Sequence, residues 1–212
     1  MTTSASKIKR DPERTRQRIL DAATQAFAEL GSSGARVDGI ARRAEVNERM
    51  LYYYFGSKDG LYLAVLEEVY GAFNRAEHAL KLDALPPLRA IAELAHFVWD
   101  YYAEHPELIR LINNENLHGA DSMKKSSEIP QQVSPIVDLL KQTLARGQAS
   151  GEIRQGIDAI SLYVTISAMG YYVMSNRHTL AIVMGRDYAK EDERESYTDF
   201  NTQMLMDALR VR

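Results

Sequence analysis

Residues 37 to 66 read VDGIARRAEVNERMLYYYFGSKDGLYLAVL and contain two short apolar stripes separated by a turn. The stripes are formed by Val37, Ile40, Ala41 and Ala44 and by Leu51 and Phe55, with Val46 in the turn. Because the alanines at 41 and 44 let two short helices cross closely, this spacing is typical of a helix-turn-helix. The stretch therefore predicts short helices over about 38–44 and 48–54.

The second of these helices combines aromatic and charged side chains on its outer face. The side chains left on or near that face are Asn47, Glu48, Arg49, Tyr52 and Tyr53. In a helix-turn-helix the second helix enters the major groove of DNA by its N-terminal end, while the flanking helices rest on the backbone. Tyrosine hydroxyls can hydrogen-bond phosphates, and the rings can press on sugars or thymine methyl groups. The pattern therefore predicts double-stranded DNA as a partner.

Charge is distributed unevenly along the chain. Its net charge is −3, but residues 1–60 hold eleven Lys and Arg against eight Asp and Glu, whereas the remainder holds fifteen against twenty-one. A basic amino-terminal part approaches a polyanion more readily than the acidic remainder does. Lys7, Lys9 and Arg10 are expected either to lie along a minor groove as an arm or to form a solvated tail.

The remaining segments show helical periodicity, and no alternating strand pattern runs longer than four residues. We expect an all-α fold of about nine helices, with a three-helix helix-turn-helix domain followed by a larger C-terminal helical bundle. The expected helices cover about 11–30, 38–44, 48–54, 57–80, 86–102, 106–112, 133–149, 157–184 and 193–209. Ser57 is expected to cap the fourth helix, and residues 119–130 to form a loop or a frayed helix start.

Several function classes are disfavoured by the sequence. The chain has no cysteine, which excludes disulfides and thiolate zinc sites. Its five histidines form no HxxxH or HxH pair, and GxSxG, phosphate-binding and dinucleotide motifs are missing. No stretch resembles a signal peptide or runs eighteen apolar residues without a charge. We therefore expect a cytoplasmic protein with no membrane partner, catalytic residue, metal or cofactor. The alternative is an all-helical enzyme that contains the same pair of short helices.

The run from 37 to 66 resembles the DNA-binding domain of the TetR family of bacterial transcriptional regulators. The similarity extends over about residues 11–66, and the block LYYYFGSKDGLY carries it most closely. The resemblance implies that Tyr52, Tyr53 and Tyr54 contact DNA and that Lys58 binds a phosphate. It also implies that the operator is selected by Asn47, Glu48, Arg49 and Met50.

Two residues depart from the family pattern. Glu45 occupies a turn position where the family usually has Gly, so the backbone there either avoids the left-handed conformation or adopts it with strain. Arg36 occupies the position of the usual Thr or Ser cap of the second helix. We expect a neighbour to take over the capping, while Arg36 adds a cation near the DNA phosphates.

Arg49 is the best candidate for reading a base directly. A guanidinium matches the O6 and N7 edge of guanine, and no other side chain in this segment does so as well. A phosphate contact, or an ion pair with Glu45 or Glu48, is an equally weighted alternative because most protein–DNA contacts are made to the backbone.

A single reading helix holds an operator weakly, so a symmetric dimer is expected, with half-sites about one turn or roughly 34 Å apart, or a multiple of that. The family resemblance implies a four-helix interface built from about 157–184 and 193–210 of each copy. Ser167, Ala168 and Gly170 would let these helices approach closely. The longer segment is also expected to supply part of the subunit's own core.

Aromatic and amide side chains in the C-terminal part predict a pocket for a small-molecule effector. The candidate residues are Phe97, Trp99, Tyr102, Asn113, Asn116, Tyr163, Tyr171 and Tyr172. For each residue alone, packing in the core is the commoner role. The stretch EHPELIRLINNENLHG (104–119) is similar to a TetR subgroup that includes pyrimidine- and aromatic-catabolite-responsive regulators, but it identifies no ligand.

Together these features predict a sequence-specific transcriptional regulator, a repressor released from a palindromic operator by a small-molecule effector. Residues 1–55 are expected to bind DNA, helix four at about 57–80 to connect, and residues 81–212 to bind the effector and form the homodimer. A DNA-binding regulator without an effector is the alternative within the same class.

Overall fold

The computed structural model describes residues 11–211, apart from the side chains of Val133 and Ser134, and this part of the chain is helical. Its ten α-helices are α1 (Pro12–Gly34), α2 (Val37–Arg43), α3 (Glu48–Phe55), α4 (Lys58–His78), α5 (Pro87–Glu104), α6 (Pro106–Leu117), α7 (Glu128–Ala149), α8 (Ala159–Ser175), α9 (Arg177–Val183) and α10 (Glu191–Leu209). Short 3-10 turns lie at Leu82–Ala84 and Met123–Lys125. The all-α prediction is confirmed.

Several helices differ from their predicted bounds; α6, for example, extends to Leu117 rather than ending at about residue 112. The segment 157–184, expected as one helix, is divided at Asn176 into α8 and α9, which accounts for ten helices rather than about nine. α7 begins at Glu128, five residues before the predicted start, because the Ser126 hydroxyl accepts hydrogen bonds from the N–H groups of Glu128 and Ile129. This cap is supplied from within the polar stretch that was expected to form a loop or a frayed helix start, and its last residues do begin a helix.

The chain divides into two compact units, the first ending at Leu66 and the second beginning at Glu67. This division falls within α4, a helix that contributes residues to both units. None of the described helices is long and apolar enough to cross a membrane.

The first unit is built on α1. The Asp11 carboxylate accepts hydrogen bonds from the N–H groups of Glu13 (3.1 Å) and Arg14 (3.4 Å), and Pro12 occupies the first turn. At Gly31 the backbone turns to φ 72°, which ends the regular helix where the sequence predicted. The buried side chains of this unit include Ile19, Leu20, Phe27, Ile40, Leu51, Leu61, Tyr62 and Val65.

The turn between α2 and α3 adopts the strained alternative. Glu45 has φ 51°, in the left-handed region that costs a non-glycine residue roughly 1–2 kcal/mol. The Arg18 guanidinium on α1 donates to the Glu45 carboxylate at 3.0 Å and to the Ala44 carbonyl. These contacts from the longer helix hold the turn in place.

The second unit is centred on α5, whose buried side chains are Ala90, Ile91, Leu94, Ala95, Val98, Trp99 and Tyr102. The Trp99 indole N–H donates to the Ile166 carbonyl of α8 at 2.7 Å. Gly170, also on α8, lies directly against the Trp99 ring, so a Cβ there would collide with the indole. Gly170 therefore lets two helices of the same subunit approach closely, which corrects its predicted role between subunits. Ala168, by contrast, is exposed.

Replacement of Gly170 by Ala should lower the free energy of unfolding by about 1–3 kcal/mol, because the added methyl group must displace the buried Trp99 ring. Thermal and denaturant unfolding would measure the change. Gly39 is the matched control, since it is also helical but an added Cβ meets no atom within 4 Å. Gly39→Ala should be neutral or stabilising by about 0.5–1 kcal/mol. Equal changes in the free energy of unfolding for Gly170→Ala and Gly39→Ala would contradict the close packing of Gly170 against Trp99.

Candidate DNA-binding face and polar cluster

The exposed side of α3 carries the residues that the sequence placed there. Tyr53 is 78% and Tyr52 50% exposed, whereas Tyr54 is half-buried and packs edge-on against Tyr53 with 5.1 Å between ring centroids. Arg49 and Glu48 are exposed and Met50 is half-buried. Such exposed aromatic surface beside a cation is unusual on a single short helix and marks a contact surface.

Asn47 has a structural role in addition to the predicted one. Its side-chain oxygen accepts the Arg49 N–H at 2.6 Å and so caps α3. The amide nitrogen points away from this hydrogen bond and is the part of Asn47 that can contact a partner. At α2, by contrast, Arg36 makes no side-chain cap hydrogen bond, whereas the carboxylate of its neighbour Asp38 accepts a hydrogen bond from the Gly39 N–H in the first turn.

Four of the seven arginines that the structure describes in the first unit are paired with carboxylates. Asp38 binds both Arg36 (3.1 Å) and Arg42 (3.3 Å), and the hydrogen bond from Arg36 holds the pKa of Asp38 below its usual value. Arg43 pairs with Glu29 at 3.0 Å. Arg36, predicted to contact DNA, therefore has part of its charge neutralised.

Arg49 and Lys58 differ from these arginines. Within residues 11–211 Arg49 forms no ion pair, and Glu45, one of its two predicted partners, pairs with Arg18 instead. Lys58 donates to the Ser33 carbonyl at 3.4 Å rather than to a carboxylate. Neither Arg49 nor Lys58 is paired with a carboxylate within residues 11–211, so both are available to an anionic partner. Lys7, Lys9 and Arg10 lie outside the described residues.

The position of Lys58 depends on the turn between α3 and α4. Gly56 has φ 72°, which allows α3 to end sharply. The Ser57 hydroxyl then accepts the Gly60 N–H at 3.0 Å, as predicted, and caps α4. The turn fixes Lys58 close to the last residues of α3.

The second unit contains a partly buried polar cluster formed by three of the predicted effector-binding residues and their neighbours. The Tyr171 hydroxyl donates to the Asn113 side-chain oxygen, and the Asn113 amide donates to the Ser175 hydroxyl at 3.1 Å. Tyr102 is buried, which raises its pKa to about 12. Tyr102, Asn113 and Ser175 line a cavity of about 100 Å³ between α5, α6 and α8.

The other predicted pocket residues lie elsewhere. Trp99 belongs to the core, with its indole N–H already bonded. Phe97 is half-buried and packs against Phe73, with 5.7 Å between centroids. Two predictions are corrected, because Asn116 is exposed and donates to the Ile112 carbonyl of its own helix, and Tyr172 is 59% exposed. Their residue types fitted a pocket, but their positions on α6 and α8 turn them outward.

Tyr163, the remaining candidate, leads to a residue that the prediction missed. Its hydroxyl donates to Glu77 Oε1 at 3.3 Å, and Glu77 is only 2% exposed. The second carboxylate oxygen, Oε2, is buried with no hydrogen-bond partner in the described structure. A signal was available, since Glu77 continues at helical spacing the apolar face of α4 that includes Leu66 and Phe73.

Burial raises the pKa of Glu77 to about 7, and the hydrogen bond from Tyr163 only partly opposes this effect. Glu77 also lies in the last turn of α4, where the helix dipole disfavours a negative charge. A buried carboxylate without a cationic partner is costly. When ionised, the Glu77 side chain therefore lowers the stability of the folded chain. Residues with strongly shifted pKa values are common at functional sites.

The stability of the protein should decrease between about pH 4.5 and pH 7 through Glu77. In this range the folded state keeps a proton on the carboxyl group, whose pKa is about 7, that the unfolded chain has released, so the free energy of unfolding falls as pH rises and levels off above the folded pKa. Glu77→Gln should be more stable than wild type by about 3 kcal/mol near pH 8, with little difference near pH 4.

Denaturant unfolding at a series of pH values would test this prediction. Glu68→Gln is the control, because Glu68 is on the same helix but pairs with Arg75 at the surface. A wild-type stability that rose across this range relative to Glu77→Gln would contradict the assignment.

Comparisons with known proteins agree with this architecture. Residues 19–65 match the family described as "Bacterial regulatory proteins, tetR family", and residues 87–205 match "Tetracyclin repressor-like, C-terminal domain". The chain is 38% identical over 198 residues to the HTH-type transcriptional repressor NicS of Pseudomonas putida, covering 93% of each protein. It is 31% identical over 135 residues to the HTH-type transcriptional regulator RutR of Escherichia coli K12, covering 64% of this chain and 62% of RutR.

A solved structure shares the fold at lower sequence similarity. The fatty acid degradation regulator FadR from Bacillus halodurans superposes with a TM-score of 0.68 at 20% identity, covering 97% of each chain. Two family matches, one to each part of the chain, and a relative aligned over nearly its full length lead to one conclusion. The chain belongs to the TetR family of bacterial regulatory proteins.

Proposed function

We propose that the protein is a homodimeric repressor that binds a palindromic operator through α3 and is released from it by a small-molecule effector. Residues 1–55 bind DNA, α4 within about 57–80 connects, and residues 81–212 bind the effector and form the dimer. The observation that carries the proposal is the exposed face of α3, where two tyrosines and an unpaired arginine lie beside one another. Membership of a family of regulatory proteins supports it.

The charge pattern of the first unit suits a DNA backbone. Lys58 is positioned by its turn and carries no paired carboxylate, which suits a phosphate contact. Arg49 lies in the first turn of α3, the part of a reading helix that reaches base edges. Tyr52 and Tyr53 extend the contact surface along the same helix. We assign Arg49 to base recognition and Lys58 to the phosphates.

Arg49→Ala should relax base preference at one position of each half-site, at a cost of roughly 1–3 kcal/mol in operator binding, because a guanidinium that pairs with guanine is lost. Lys58→Ala should weaken binding to all sequences alike and reduce the slope of log affinity against log salt by about one unit. Fluorescence anisotropy with operator variants at several salt concentrations would measure both. Lys141→Ala, on α7, is the control. A uniform loss in both variants would refute the assignment of Arg49.

A dimer surface is supported by apolar side chains that α8 and α10 leave exposed. These side chains are Ile160, Val164, Tyr172, Phe200 and Met204. Residues 160, 164 and 172 recur at helical spacing on α8, and 200 and 204 do so on α10. Neighbouring exposed apolar residues of this kind usually mark a protein–protein interface. Two copies of α8 and α10 would form the four-helix interface expected from the sequence.

Val164→Asp and Phe200→Asp should each convert the protein to a monomer, because an aspartate buried at a two-fold interface faces its own copy and has no partner. Sedimentation equilibrium would measure the mass. Leu117→Asp is the control, since Leu117 is 83% exposed at the end of α6. Retention of a dimer in both interface variants would exclude this surface.

The partly buried polar cluster around Tyr102, Asn113 and Tyr171 is the first place considered for an effector. The cavity beside it is about 100 Å³, smaller than the roughly 300 Å³ at which ligand pockets begin. This small volume counts against the cavity itself as the effector site, and it is the observation that favours a second candidate, a DNA-binding regulator without an effector. A thermal-shift screen of metabolites distinguishes the two candidate functions. An effector raises the unfolding temperature of the protein, whereas for a regulator without an effector no compound changes it.

A further inference from the structure

Glu77 combines burial, an oxygen without a hydrogen-bond partner and a place in the lining of a cleft. Oε1 accepts the Tyr163 hydroxyl, while Oε2 has no hydrogen-bond partner among the described residues. No lysine, arginine or histidine within residues 11–211 forms an ion pair with this carboxylate, although Lys81 and His78 lie nearby along the chain. A buried carboxylate that lacks both a cation and a full set of donors costs stability.

The same residue lines a cleft of about 340 Å³ between the end of α4, the 3-10 turn at Leu82–Ala84 and α7. Its apolar wall includes Leu82, Ile136 and Leu139. Lys81 and Asp83, which are exposed, also line it, so their charges offset one another. The volume is at the lower end of the range for small-molecule sites and suits a ligand of about one ring.

The position of Glu77 determines which ligand chemistry is favoured. An anionic ligand would add like charge to a buried carboxylate, and an apolar ligand would leave Oε2 without a partner. A nitrogen cation with N–H groups supplies both a counter-charge and a donor, which makes a charge-assisted hydrogen bond. Because Oε2 is covered, a ligand reaches it only when the wall of the cleft opens, which couples binding to a change of conformation.

We propose that Glu77 is the anchor of the effector site and that the effector is a small, single-ring compound bearing a cationic nitrogen group, such as a protonated amine or amidine. This inference rests on the proposed function, since it names the chemical class of the effector. α4 contributes residues to both units, with Lys58 in its first turn and Glu77 in its last turn. A ligand at Glu77 therefore acts on the helix whose other end carries the predicted phosphate contact.

Benzylamine and benzyl alcohol are suitable probes, because they have nearly the same shape and only the amine is charged. Calorimetric titration near pH 8, where both Glu77 and the amine are charged, should show benzylamine binding at least about ten-fold more tightly than the alcohol. Glu77→Gln should abolish this preference, whereas Glu68→Gln, on the same helix but outside the cleft, should retain it.

Two results would overturn the inference: equal affinity of the wild-type protein for both probes, or an amine preference that survives in Glu77→Gln. The comparison of probes in the wild-type protein needs no variant to fold. Amine binding is measured without DNA, and operator selection is measured without amine. A protein that selects an operator but shows no amine preference refutes only the effector class, whereas one that prefers the amine but selects no DNA refutes the proposed function.

Discussion

The DNA-binding face depends on the packing of two helices that are too short to be stable alone. α2 has seven residues and α3 eight, fewer than an isolated helix needs in water. They are held by burying Ile40 and Leu51 in the core that α1 provides through Ile19 and Phe27. Once one side of α3 is committed to this core, Tyr52, Tyr53 and Arg49 must lie on the other side. The contact surface is therefore a consequence of the packing.

Arg18 adds a second constraint on the same unit. The left-handed backbone at Glu45 is costly without glycine, and the Arg18 guanidinium offsets part of that cost by binding both the side chain of Glu45 and the carbonyl of Ala44. One consequence concerns charge. Because Arg18 forms an ion pair with Glu45, that carboxylate is not available to pair with Arg49. Arg49 is the residue that we propose contacts DNA.

The local features of the first unit could be predicted from the sequence because they depend on neighbours along the chain. The start of α1 at Asp11, its break at Gly31 and the cap at Ser57 all follow from short-range chemistry. The side chains that line a pocket in the second unit were harder to predict, because residue type alone does not determine which way a side chain faces. Tyr171 and Tyr172 are adjacent tyrosines, yet the first joins a partly buried hydrogen-bond network and the second is exposed.

Glu77 and Gly170 show what sequence reasoning lacks. Each was identifiable as an exception to a pattern, a carboxylate on an apolar face and a glycine within a helix, but its partner lies more than sixty residues away in the chain. The most direct test of the central claim is selection of DNA fragments from a random pool by the purified protein. The account predicts enrichment of two-fold symmetric sites with half-sites about one helical turn or a multiple of it apart. Recovery of unrelated fragments without a common symmetric site would contradict it.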